Sequence, residues 1–379
     1  MATQKRLLVI HRALAPYRID VFNSLSKSYD MDFYVEYEDA LEQSFSKEKL
    51  YRRKLFPHRV LRKGWGGIAN LRLQVISILF RGHYDVVLCS EFNLITVLLF
   101  VVSKLLKHRP RIVVLCDDNL TMAQQTVQSS SWQSSFKRRL MRVVDGVVFC
   151  DSEALTSYAT LLGNGKRDGL CYLPIVQDEK FVRAESLRAF PIAYQLMQSY
   201  NLSNSDWVLL FVGRLTKVKN VSTLISLFAE QFSHIPQAKL LVVGNGDLEG
   251  ELKAEILRLN ISHKVILAGK QEGLELYAHY LLGNAFILPS LYEPFGAVVF
   301  EALVLGIPVA CSRIAGAKTL ISTEEELFSP SDEREFAEVL NFLYSKRNNL
   351  SSAQKGTLNP SRINTTFDQF LAPLYKLLG

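Results

Sequence analysis

Short apolar runs alternate with stretches of helical spacing, and the alternation occurs twice, with an interruption between the two series. In the first half the runs are Leu7–Ile10, Asp32–Val35, Val86–Leu88, Ile112–Leu115, Gly146–Phe149 and Leu170–Leu173. Helical patterns lie between several of them, at Ile19–Leu25, Leu71–Phe80, Leu94–Leu106 and Ser152–Leu162. A strand that is apolar on both faces has to be covered on both faces, so this pattern predicts a parallel sheet flanked by helices. The rhythm breaks at Leu173–Phe181, and a polar, mixed segment runs on to Asp206. It then restarts, with strands expected at Trp207–Val212, Ala238–Val243, Val265–Ala268, Ala285–Leu288, Pro308–Cys311 and Leu327–Phe328. Helices are expected at Ser222–Gln231, Leu248–Leu259, Leu274–Leu281, Ala297–Leu305 and Asp332–Tyr344. The expected fold is α/β: two doubly wound parallel-sheet domains joined near residues 175–205. At 379 residues, each half is long enough for its own core. Ligands of such sheets bind beyond the carboxyl ends of the strands, which places the expected site in a cleft between the domains.

Composition narrows the function classes. Hydrophobic residues at 48% with 21% charged describe a globular chain rather than a disordered one. Five cysteines, scattered and without paired spacing, read as buried reduced thiols of a cytosolic protein and not as a metal site. The apolar run Leu7–Ile10 is too short for a secretory leader, and Leu94–Val102, bounded by Glu91 and Lys104, is too short to span a bilayer. The chain is therefore expected to be cytoplasmic, or peripheral on the inner face of a membrane. The formal net charge of +7 is carried by the first half, while the remainder is slightly acidic. A basic half suits an anionic partner. The segment Tyr51–Trp65 concentrates it, mixing arginines and lysines with apolar and aromatic residues. It fits either an anionic membrane surface or a solvated loop with a few anchoring residues. No nucleic-acid-binding module is present, so nucleic acid is not an expected partner.

Three strand ends of the second half carry the unusual residues. The segment Pro289–Glu301 follows the apolar run Ala285–Leu288, breaks at Pro294 and Gly296, and enters a helical pattern at Ala297. Glu301 lies inside that apolar pattern, where a carboxylate costs several kcal/mol unless it is paired or bonded to hydroxyls. Either it faces solvent, or Glu293 and Glu301 mark a site for a hydroxyl-rich ligand at a helix N-terminus. Earlier, Trp207–Val212 ends in Gly213-Arg214-Leu215, with Lys219 just before a helix. Such cations near a helix start suit a polyphosphate. Between them, Leu240–Gly250 carries glycines at 244, 246 and 250, a dinucleotide-like pattern with an extra residue that is weak by itself.

Taken together, these pieces resemble the retaining glycosyltransferases of sequence family 4, which have the GT-B architecture, most densely over residues 207–321. Gly213-Arg214-Leu215 with Lys219 is similar to that family's phosphate loop, Gly244-Asn245-Gly246 to its glycine turn, and Glu293 through Glu301 to its E-x7-E motif. Gly306–Val309 and Ala315-Gly316 continue the likeness, which is looser in the first half at Ala15–Arg18 and Asp151–Glu153. The resemblance implies two Rossmann-like domains facing across a cleft. These are an acceptor-binding domain over 1–188 and a donor-binding domain over 189–360, with a C-terminal helix over 361–379 crossing back to the first. It implies that Arg214 and Lys219 stabilise the departing diphosphate and that Glu293 contacts the transferred sugar. Glu301 would bind ribose hydroxyls, with Gly213, Gly244, Gly246, Lys270 and the backbone of Phe295, Gly296, Ala297 and Val298 completing the donor site. Tyr17, Arg18, Asp117 and Asp118 would line the acceptor side. The donor would be a nucleoside-diphosphate sugar, used as a substrate, with no cofactor and no metal. The acceptor would be a glycan or lipid-linked intermediate of cell-surface polysaccharide or glycoconjugate synthesis. The sequence departs from the family at Lys318-Thr319, where a carboxylate is usual, and at Cys116–Asn119, where a histidine is usual.

Two other classes fit parts of the pattern. A nucleotide-sugar binding protein or epimerase of the same fold would hold the donor without transferring it. A nicotinamide-dependent dehydrogenase would use the three glycines, with Lys270 suited to a 2′-phosphate because no acid follows the next strand.

Overall fold

The computed structural model describes residues 4–38, 46–64, 72–347 and 349–379. The chain forms two compact units, Met1–Gln177 with Phe367–Gly379, and Asp178–Thr366.

The first unit is built on seven strands: β1 (Arg6–His11), β2 (Asp30–Val35), β3 (Arg59–Val60), β4 (Val86–Ser90), β5 (Arg111–Cys116), β6 (Gly146–Phe149) and β7 (Leu170–Tyr172). They pair in parallel in the order β3-β2-β1-β4-β5-β6-β7. Leu8, Val87, Ile112, Val114 and Val147 are fully enclosed, as the unbroken apolar runs require of a sheet covered on both faces. The second unit holds six more: β8 (Trp207–Val212), β9 (Ala238–Val243), β10 (Val265–Gly269), β11 (Ala285–Leu288), β12 (Val309–Ser312) and β13 (Leu327–Phe328). Their order is β10-β9-β8-β11-β12-β13, again parallel. In each sheet the chain starts in the middle, winds to one edge, and returns to the other side of its first strand. The points of reversal are β1/β4 and β8/β11, where loops diverge and leave room for a ligand.

The expected strands are present. The interruption read as a polar joint is instead a 21-residue helix, Glu179–Ser199, which carries Pro191 in its interior. Its polar residues and proline hid the helical period. Asp178 caps it by accepting the Lys180 N–H at 2.9 Å, and it packs against the helix Leu274–Leu282. Arg183 donates to the carbonyls of Val304 and Asn359 at 2.9 and 3.1 Å. These contacts assign the helix to the second unit, so the division falls at Gln177/Asp178 and not at residue 188. At the other end Arg362 donates its N–H to Leu303 O at 2.8 Å and pairs with Glu326. The second division therefore falls at Thr366/Phe367 rather than at 360.

Sequence reading also passes over β3 and the helices Lys47–Arg53, Leu120–Gln128 and Trp132–Val143, whose residues are on average too polar to stand out from the loops around them. Trp65 and Leu71, the limits of two expected segments, lie outside the described residues. The last helix, Phe367–Leu378, spans Pro373 and packs on the first unit. Leu371, Leu374, Leu377 and Leu378 are buried. Tyr375 stacks on Tyr29 at 6.3 Å between ring centres and bonds Ser24 Oγ at 2.9 Å. Gly146 makes room for Leu377, since a Cβ there would come within 2.9 Å of it. Among the described residues no helix is long and apolar enough to cross a membrane. All five cysteines are free and buried.

Leu374→Ala is expected to cost the first unit about 2–5 kcal/mol by leaving a cavity under the last helix. Amide exchange should accelerate in β1 and β4 and stay unchanged in β8 and β11.

Candidate active site

Around the β8/β11 reversal, four loops are locked together by their backbones. Leaving β8, Gly213 donates its N–H to Val243 O at 2.9 Å and Leu215 donates to Asn245 O at 2.8 Å. Leu248 returns a bond to Leu215 O at 3.0 Å, and Gly244 donates to Gly269 O at 2.8 Å. Gly244 has φ +144°, and a Cβ on it would lie 1.8 Å from Gly213 O. One on Gly246 would lie 2.4 Å from Leu215 O. Both glycines are thus required by the backbone of the 213–215 loop, which presses on them. Gly250 has open space where its side chain would stand. The third glycine of a dinucleotide fingerprint serves close helix–strand packing, and Gly250 has no such neighbour, which removes the structural basis for the dehydrogenase reading.

Lys219 ends a short turn, Lys217–Lys219, and its ammonium is ion-paired with Glu293 from the β11 exit. Ser290 also donates to Glu293, at 3.4 Å, and Leu291 donates its N–H to Val218 O at 2.8 Å. The Lys219 and Glu293 side chains are 13% and 12% exposed. Water screens such a pair little, and removing one partner leaves a poorly solvated charge. Arg214 stands half-buried in the same loop.

Gly296, at φ +97°, turns the chain into the helix Ala297–Val304. The first N–H groups of a helix have no partner within it, so those of Ala297 and Val298 are available to a ligand's oxygens. The turn Gly316–Leu320 is clipped behind them by the Ala317 N–H to Phe295 O at 2.8 Å. Close approach there requires Gly316, whose Cβ would meet Pro294 O at 2.5 Å. Glu301 is buried and accepts a 2.7 Å bond from the Tyr280 hydroxyl, which disposes of the solvent-facing reading. Burial and the neighbouring carboxylate hold the Tyr280 phenol well above its ordinary range, so it is a donor at any working pH. Tyr280 is invisible to sequence reading, a lone tyrosine in an apolar helix. Lys270 is the donor-side residue that the fold sets apart. It follows β10, three strands from β11 and so roughly 14 Å away across the sheet, and it pairs with Glu272 at 2.6 Å.

Strand ends of the first unit bring together His11, Arg18, Glu91 and Asp117. Arg18 is buried in the turn Pro16–Arg18 beside Tyr17 and is ion-paired with Asp117. Burial alone would weaken its charge, and Asp117, with Cys150 and Tyr17, together more than offset that. His11 is pushed down to about 4 by burial and by Arg18. It is neutral at pH 7, with Nδ1 at 2.8 Å from Ala13 O. The two expected acceptor-side aspartates part company. The Asp117 side chain is 44% exposed, whereas Asp118 is buried and held by Lys137 at 2.7 Å and by the Tyr158 hydroxyl. Asp118 therefore supports the strand end rather than lining it.

Glu91 was missed by sequence reading. It follows β4 in a left-handed backbone, φ +64°, and accepts the Asp117 N–H at 3.1 Å. Its carboxyl is pushed up to about 7 by burial, with Asp117 and Asp118 adding repulsion. The only sequence signal is an acid placed directly after an apolar strand.

Comparison with known proteins follows this geometry. Residues 195–357 match the family model of glycosyl transferases group 1. An uncharacterized glycosyltransferase of Methanocaldococcus jannaschii is 34% identical over 127 residues, 34% of this chain and 32% of that protein. The N-acetyl-alpha-D-glucosaminyl L-malate synthase of Bacillus anthracis is 32% identical over 128 residues, again 34% of this chain and 32% of its own length. These matches thus span about a third of the relatives' length. Among solved structures, Anabaena HepE in complex with UDP superposes with a TM-score of 0.69 at 18% identity, covering 93% of this chain and 94% of that one. The fold is that of the GT-B glycosyltransferases. The second unit carries the family match.

Gly244→Ala is expected to spring the 213–215 loop, lowering the melting temperature and accelerating amide exchange at Leu215 and Leu248. For Glu91 the sign is set by its raised folded value. Its contribution to stability is full below its ordinary 4.5 and is lost as pH rises through about 7. Glu91→Gln keeps an acceptor for the Asp117 N–H. It should flatten the fall in unfolding free energy between those limits and gain most, relative to the wild type, at pH 8.

Proposed function

We propose that this chain is a retaining glycosyltransferase that moves a sugar from a nucleoside-diphosphate sugar to a glycan or lipid-linked acceptor, without metal or cofactor, in cell-surface glycan synthesis. The observation that carries the reading is the β8/β11 reversal point, where a half-buried arginine, a lysine–glutamate pair and a free helix N-terminus are held on one rigid set of loops. In transfer, the bond between the sugar's anomeric carbon and the diphosphate oxygen breaks and a bond to the acceptor hydroxyl forms. The hydroxyl proton leaves with the diphosphate. Charge builds on the departing oxygen, so preorganised donors there lower the barrier most. Arg214, Lys219 and the N–H groups of Ala297 and Val298 supply them. Glu293 orients sugar hydroxyls while holding Lys219 in place, and Glu301, fixed by Tyr280, takes the ribose hydroxyls. The same-face course is carried by the likeness of Glu293 through Glu301 to the family motif; orientation and leaving-group stabilisation then matter more than a strong base.

The relatives' printed functions support the substrate class. They include a Campylobacter jejuni transferase acting on a diphospho-undecaprenol-linked sugar, 32% identical over 126 residues, and structural neighbours bound to UDP and UDP-glucose. A nucleotide-sugar binding role without transfer would leave the Lys219–Glu293 pair with no leaving group to act on.

We further place the protein at the cytoplasmic membrane face, docked by residues 51–64. Leu55 is 65% exposed and Val60 is 44% exposed, beside Arg59, Arg62 and Lys63. Arg53 is not part of this surface, being ion-paired with Asp20 and bonded to Gln177 at 2.7 Å.

Arg214→Ala should lose both nucleotide binding and transfer. Glu293→Gln should keep nucleotide binding within about tenfold while transfer falls at least about a thousandfold; release of nucleoside diphosphate at the wild-type rate by either variant refutes the assignment. Binding to phosphatidylglycerol vesicles should weaken steeply as salt is raised and vanish on phosphatidylcholine.

A further inference from the structure

At the β2–β3 edge of the first unit, away from the strand ends described above, lies a recess of about 330 Å³. Arg6, Arg59 and Arg81 line it, with Tyr34, Gln74 and Tyr84 among its other walls. Arg59 lies on the edge strand β3, two strands from β1, which Arg18 follows, and four from β5, which Asp117 follows, so roughly 10 and 19 Å away across the sheet. The recess is thus distinct from the acceptor-side groups.

Its charge is unbalanced. Arg6 is committed to the protein: it pairs with Asp30 and Asp32 at 3.1 Å each, donates to Gly82 O, and lies 5.0 Å from the Tyr84 ring centre. Asp32, the one acid in the lining, is further occupied by the Tyr84 hydroxyl at 2.6 Å. Burial and that carboxylate hold the Tyr84 phenol well above its ordinary range, so it stays a donor to Asp32. Arg59 and Arg81 are left over. Arg59 donates to the Tyr34 hydroxyl oxygen at 3.0 Å and feels the Asp32 carboxylate only at a distance, and neither arginine forms an ion pair among the described residues. Two neutral groups add donors. Tyr34 accepts from Arg59 and keeps its own O–H, and Gln74 accepts the Arg62 N–H through Oε1 at 2.9 Å, which leaves its amide N–H₂.

We propose that this recess is a binding site for a phosphomonoester, gripped by Arg59 and Arg81 with the Tyr34 hydroxyl and the Gln74 amide. Two guanidinium groups outside any ion pair match a dianion in charge, and their forked N–H groups match phosphate oxygens in shape. The volume is at the lower end of that of small-molecule pockets, enough for a phosphate with part of the alcohol that bears it. A phosphodiester offers one charge and fewer free oxygens and fits less well. The phosphate can belong to a soluble metabolite or to a lipid headgroup; the chemistry at the arginines is the same. The site does not depend on the transfer reaction, and its test needs neither donor nor acceptor.

The test is calorimetric titration of the full chain with inorganic phosphate and with glycerol 3-phosphate, for the wild type, Arg59→Gln/Arg81→Gln and Arg214→Ala. Both substituted arginines of the double variant are exposed, so its melting temperature should match the wild type's. Expected is saturable binding by the wild type and by Arg214→Ala, weakened at least about tenfold in the double variant, the loss of two charge-assisted bonds. A parallel flotation assay compares phosphatidic acid with phosphatidylglycerol vesicles at matched surface charge. A preference for phosphatidic acid that the double variant loses identifies a headgroup as the source. Equal binding to both vesicles, with soluble phosphate still bound, identifies a free metabolite. The proposal is overturned if the wild type binds neither soluble phosphate, or if binding survives Arg59→Gln/Arg81→Gln and disappears in Arg214→Ala.

Discussion

The contact on which the second unit's chemistry rests is backbone against backbone. The loop leaving β8 lies so close to the loop leaving β9 that two of its carbonyl oxygens occupy the places where side chains of residues 244 and 246 would stand. This closeness fixes the direction in which residues 213–219 leave the sheet. That in turn decides where Arg214 and Lys219 point, and it lets Lys219 meet Glu293 across the reversal between β8 and β11. The side chains to which the proposed reaction gives roles are therefore aimed by groups with no chemistry of their own. A rigid frame of this kind is what preorganised stabilisation of a leaving group requires.

Glutamates 293 and 301 show how one motif serves two purposes. They sit on either side of the glycine turn that starts a helix. One is turned toward a cation, the other toward a phenol. Neither is left as a bare buried carboxylate, which would be costly. The first unit solves a similar problem differently. Arg18 and Asp117 neutralise one another at the strand ends, Asp118 is withdrawn into the interior by Lys137 and Tyr158, and Glu91 is left as the group whose charge is least settled.

Much of this was legible in the residue order. The β8–β13 strands, the exit at Gly213, the turn at Gly296 and the acids at 293 and 301 all leave local signatures, because apolar runs and glycine placement follow from short-range sterics. What escaped reading depends on contacts between distant segments. Tyr280 matters only because helix Leu274–Leu282 lies beside helix Ala297–Val304. Asp117 and Asp118 are adjacent in sequence yet face opposite environments. Glycines 244 and 246 announce a tight turn in the sequence, but the loop that presses on them is seen only in the fold. The helix Glu179–Ser199 was hidden by its own polarity, since a helix packed along only part of its length shows a weak period.

The last helix carries a consequence for how the polypeptide is made. Because Phe367–Leu378 supplies part of the hydrophobic interior around β7 and Tyr29, the second unit is in effect an insertion within the first. A ribosome delivers β1 to β7 early but withholds their final wall until the whole second unit has been made. The second unit, whose strands and helices are contiguous, has everything it needs before then. The amino-terminal half must wait, incompletely covered, for its partner segment to emerge, and exposed apolar surface in that interval is what makes a nascent chain prone to association.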